Sequence, residues 1–65
     1  MMTKADDAAR ILAEFQAVPG LSLTLAQVAT LVGLTRKRCQ VVLLELVARG
    51  ELTLTRTSQY RRASS

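Results

Sequence analysis

This 65-residue chain predicts a mainly α domain, three helices closed by a small β-hairpin, on three observations. Apolar residues recur at three- and four-residue spacing through three successive segments, each ended by a glycine. Beyond Gly50 the spacing drops to two, the signature of a half-buried strand. Hydrophobic residues make up 49% of the chain, yet Phe15 and Tyr60 are its only aromatics, so the core must be built from Leu, Val, Ile and Ala. Side chains of that size favour closely packed helices.

The first helix is expected over about 4–18. Thr3 can cap it, and Asp6 and Asp7 place negative charge in the first turn, where the helix dipole favours it. Ala8, Ile11, Leu12, Phe15 and Val18 form its inward face, and Pro19 with Gly20 stops it. Leu21, Ser22 and Leu23 read as a short extended link. Thr24 and Gln27 then make a T-x-x-Q capping box for a second helix over about 25–32, with Val28, Ala29 and Val32 inward. Gly33 can take the left-handed conformation that ends a helix, and Thr35 is placed to cap a third helix over about 36–49. Its inward stripe is Cys39, Val42, Leu43, Leu46 and Val47, and Gly50 ends it. A wing over about 51–62 follows: Leu52 and Leu54 alternate with Thr53 and Thr55, residues 56–58 turn, and Tyr60 returns inward with arginines on the open side. The turn lacks the Asn-Gly or Asp-Gly pair of a two-residue hairpin.

Residues 1–65 are expected to form one domain, and a chain of this size buries only roughly 60% of its unfolded surface, so its stability is marginal. The net charge of +4 is unevenly shared. Residues 1–32 hold two cations against three anions, net −1, whereas residues 33–65 hold seven against two, net +5. A basic half of this kind suits a nucleic-acid partner. One cysteine and no histidine leave no disulfide or zinc staple, which points to a reducing cytoplasm and to no cofactor. Asp6 and Asp7 stand where a signal peptide needs its apolar stretch, and the longest later aliphatic run, residues 41–44, is too short to span a bilayer, so no membrane partner is expected. Translation can start at Met1 or Met2.

Residues 22–52, SLTLAQVATLVGLTRKRCQVVLLELVARGEL, resemble the winged helix-turn-helix domains of bacterial regulators of the IclR and MarR types, and the likeness extends loosely over residues 8–62. Val28, Ala29, Val32, Gly33, Leu34, Cys39 and Val42 occupy the motif's apolar, small, apolar, glycine, apolar, apolar and apolar positions. A small side chain at Ala29 lets two short helices cross steeply, and Gly33 makes the sharp turn between them. These residues carry the fold and say nothing of DNA.

The resemblance implies that the third helix enters the major groove, with Thr35, Arg36, Lys37 and Gln40 near bases and phosphates. Arginine and lysine suit guanine edges or phosphates, and glutamine can bond adenine in two places. Arg38 lies further round the helix as a backbone contact or solvated charge. Arg56 at the wing tip could reach phosphate or the minor groove, and Arg61 and Arg62 could hold the backbone nearby. Three cations at the positive end of a helix dipole are unfavourable without an anionic partner, which favours phosphate.

Val41 and Leu44 depart from the pattern, since relatives usually carry polar residues there. Three readings stay open: a contact with a thymine methyl, an extension of the core, or an apolar patch that binds protein, including a second copy of this chain. Cys39, at an apolar motif position, reads as a small core side chain rather than a redox sensor. Glu45 and Arg49 are spaced for a helix-surface ion pair. Scattered carboxylates and the absence of histidine, of a phosphate loop and of metal-ligand spacing argue against an enzyme and against a small-molecule substrate.

The expected function is therefore binding of double-stranded DNA by a small bacterial, phage or plasmid transcriptional regulator, acting as a homodimer or as a subunit of a larger assembly. Helix 1, with Ala5, Ala9 and Ala13 on a second small-residue face, is a candidate for the contact between copies. The alternative is a winged-helix protein-interaction module that docks on a protein partner or inhibits a nucleic-acid enzyme.

Overall fold

The computed structural model describes residues 3–63 and contains three helices and a three-stranded antiparallel sheet within 32 × 21 × 20 Å. The elements run α1 (Lys4–Ala17), β1 (Ser22–Thr24), α2 (Leu25–Val32), α3 (Arg36–Ala48), β2 (Leu52–Leu54) and β3 (Gln59–Arg62). This is the mainly α architecture of three helices plus a wing that the periodicities predict. Among the described residues no helix is long and apolar enough to cross a membrane.

Each helix starts on a threonine whose hydroxyl satisfies a backbone N–H left over in the first turn. Thr24 and Gln27 close the expected capping box: the Thr24 hydroxyl accepts from the Gln27 N–H at 3.2 Å, and the Gln27 side chain accepts from the Thr24 N–H at 2.9 Å. Thr3, expected as a simple cap, closes a second box with Asp6. Bonds from the Thr3 backbone and hydroxyl hold the Asp6 carboxyl below its ordinary pKa. Gly33, at φ 72°, ends α2, and the N–H groups of both Gly33 and Leu34 donate to the Ala29 carbonyl. That pattern turns the chain within two residues, so the Thr35 cap follows at once.

The core consists of Ala8, Ile11 and Phe15 from α1, Val28, Ala29 and Val32 from α2, Cys39, Val42, Leu43 and Leu46 from α3, and Leu52 and Tyr60 from the sheet. Leu12 and Val47 pack against it, half-buried. Val18 is not an inward residue: α1 ends at Ala17, and Val18 is its extended cap, exposed to solvent. The third helix likewise ends one residue earlier than expected, at Ala48.

The segment read as a link is a strand. Ser22–Thr24 pairs with β3, so the sheet order is β1-β3-β2 and Tyr60 is flanked by Leu23 on one side and Leu54 on the other. The middle strand therefore ties the entry of α2 to the wing. Leu54, nearest the loop, is half exposed, while Leu52 is buried. The loop itself is three residues long: Thr55 N–H donates to the Gln59 carbonyl at 2.7 Å, Ser58 N–H to the Thr55 carbonyl at 3.1 Å, and Ser58 adopts φ 61°. A three-residue hairpin loop puts its last residue in the left-handed region, which is why no Asn-Gly pair is needed.

Candidate nucleic-acid interface

At about 100° per residue, the face of α3 opposite its buried stripe carries Lys37, Gln40, Val41, Leu44 and Ala48, all exposed. Arg36 stands at the first turn beside them, and the Thr35 hydroxyl, accepting from the Arg38 N–H at 3.2 Å, begins the helix. The outward face thus opens with Lys37, flanked by the exposed Arg36, at the positive end of the dipole, continues through an amide and ends in aliphatic carbon. Among the described residues, no ion pair involves the side chains of Arg36 and Lys37.

Arg38 is turned to the flank. Its Nε donates to Asp7 Oδ2 at 2.7 Å, and Asp7, only 1% exposed, is a charged residue buried between α1 and α3. Lys4 and Glu45 add a second link between the same helices at 3.3 Å. The expected Glu45–Arg49 pair does not form: Glu45 is drawn to Lys4, and Arg49 lies 3.3 Å from Glu51 across the turn after the helix. One turn further along α1, and lining the same recess as Asp7 and Arg38, Arg10 Nη2 donates to the Val32 carbonyl at 3.1 Å, satisfying the end of α2. Cations that the sequence leaves undivided are thus sorted by the fold. Arg10, Arg38, Lys4 and Arg49 have partners within the chain, whereas Arg36 and Lys37 face outward.

The wing sorts its arginines too. Arg56 lies exposed in the hairpin loop. Arg61 pairs with Thr53 and Ser22 on the open face of the sheet. Arg62, two residues beyond Tyr60, shares the inward-facing side at its edge, opposite Leu52, and lines a shallow recess with Leu12, Gln16 and Glu51. Arg61 and Arg62 therefore leave the strand in opposite directions, a consequence of the two-residue period that expecting both on the open side overlooked.

Val41 and Leu44 are 50% and 52% exposed, so they do not extend the core. Cys39 is fully buried among the helices, and burial pushes its thiol above the ordinary cysteine range. Two placements carry no signal in the local sequence. Asp7 gave no local signal of burial, because its partner lies 31 positions away. Leu31, half exposed on α2 beside Ala26, Gln27 and Thr30, sits on a face that the inward spacing of Val28, Ala29 and Val32 leaves outside.

Comparison of the chain with family models, with curated proteins and with solved structures finds no match in any of the three, so the geometry above stands alone as the guide to function.

Proposed function

We propose that this chain binds double-stranded DNA, with α3 in the major groove and the wing beside it on the backbone. The observation that carries the reading is the pair Arg36 and Lys37. Both are exposed and outside the ion pairs of the fold, at a helix start whose dipole repels them unless an anion is present. Gln40 lies one turn on, within the reach of base edges when the helix start meets the groove. Arg56 and Arg61 supply charge on the wing. Arg38 serves differently, as a positioning residue that holds the start of α3 to α1 through Asp7.

In this reading the protein is a transcriptional regulator of a bacterium, phage or plasmid, acting in the cytoplasm without catalysis. One copy covers a short half-site, so a dimer on a two-fold site raises discrimination.

The test is a titration of the chain with random-sequence duplex at two salt concentrations. Affinity falls steeply with salt, and Arg36→Ala and Lys37→Ala each reduce the slope of log affinity against log salt by about 1. Absence of binding at low salt, or binding indifferent to salt, overturns the proposal.

A second reading rests on Val41 and Leu44, whose half-exposed side chains also suit a protein surface. It makes the domain an interaction module that docks on a protein partner or inhibits a nucleic-acid enzyme. Under that reading Val41→Ser with Leu44→Ser abolishes association while Arg36→Ala and Lys37→Ala leave it intact.

A further inference from the structure

The aliphatic end of the outward face of α3 is left unexplained by phosphate binding. Val41 and Leu44 expose half of their surface on the same face as Lys37 and Gln40, and neither is recruited to the core. No carboxylate shares that face, because Glu45 is turned to Lys4 at 3.3 Å. Two copies joined through it would bring together the cations of both with no counter-charge. The occupant that fits must offer an anion beside the helix start and an apolar group one to two turns further on.

The major groove does so. Phosphates line its edges, and the C5 methyl of thymine is the apolar group that its floor presents. From Lys37 to Leu44 the helix rises about 10 Å at about 1.5 Å per residue, the length of roughly three base pairs at about 3.4 Å each. Gln40, between them, has the amide geometry that pairs with adenine, the base opposite thymine.

We infer that α3 reads A·T pairs, with Val41 and Leu44 packing on thymine methyls and Gln40 bonding adenine. The inference rests on the proposed DNA binding and names its preferred substrate: a half-site whose centre is rich in thymine.

The experiment selects duplexes from a random-sequence pool with the whole chain as bait. The tightest duplex is then resynthesised with uracil in place of every thymine. Uracil keeps the pairing and lacks only the methyl. Selected duplexes are expected to be enriched in A·T pairs, and replacement is expected to weaken binding by about fourfold for each methyl lost from contact, the worth of burying roughly one methylene-sized group. In the Val41→Ser, Leu44→Ser double variant, with helix content checked by circular dichroism, thymine and uracil duplexes bind alike. The comparison of the two duplexes with the unaltered chain needs no variant and decides the matter by itself. Equal affinity there overturns the methyl contact while leaving DNA binding in place. Failure to recover any duplex overturns both.

Discussion

Asp7 and Arg38 stand 31 positions apart in the chain and 2.7 Å apart in space, one carboxylate buried and one guanidinium half exposed. The asymmetry sets the cost of losing each. Arg38→Ala leaves a buried carboxylate without its main donor and is expected to destabilise the fold by about 2 kcal/mol, below the range for fully buried pairs because Arg38 reaches solvent. Adding Asp7→Ala removes the stranded charge, so the double variant is expected to be more stable than the sum of the two single losses, as urea unfolding of all four proteins would record. Cys39 makes a separate prediction. Because its thiol is buried and its pKa raised, the unfolded chain ionises first as pH climbs. The stability that Cys39 contributes is therefore complete below the ordinary thiol range and is lost progressively above it. Thiol-specific reagents are accordingly expected to label the native protein only at the rate of its opening, and the urea-unfolded chain at once.

At the scale of elements, the three-residue wing loop places Ser58 at φ 61°, a region costly for any residue with a Cβ. Ser58→Gly is expected to stabilise the protein by about 0.5 kcal/mol, read as a small rise in Tm, with DNA affinity unchanged because Arg56 keeps its place. The extent to which elements are legible in the sequence follows from what is local. Threonine caps, Gly33 and the apolar spacing of α2 and α3 act within one or two turns, so those helices are readable to within a residue. Strand β1 is not readable in this way, since the three residues Ser22–Thr24 become a strand only because β3 arrives beside them. The same holds for the candidate site. Arg36, Lys37 and Gln40 declare themselves by position on one helix. That Arg38 is withdrawn from their face depends on Asp7 of another helix, and that Arg62 is turned from the open face depends on which side of β3 holds Tyr60.

At the scale of the molecule, total stability for a chain of this length is on the order of 3–10 kcal/mol. A single core truncation can therefore consume a large part of it. Leu43 and Leu44 are neighbours in sequence and opposites in surroundings, one fully buried and one half exposed. Leu43→Ala is expected to cost about 3 kcal/mol and leave a substantial unfolded fraction on mild heating. Leu44→Ala is expected to cost less than about 1 kcal/mol, and the two melting curves would show the difference directly. The sheet carries a consequence of a different kind. Its middle strand, β3, is the last of the three in the chain, and both neighbours form their ladders only with it. During synthesis, residues 22–24 and 52–54 thus emerge without ladder partners, and neither can pair until residues 59–62 leave the ribosome. The helices, whose own backbone hydrogen bonds each span only four residues, are free to form first. Birth order thereby leaves both ladders waiting on one strand, and a nascent chain cut short within the hairpin loop would keep its helices' sequence while losing every ladder of its sheet.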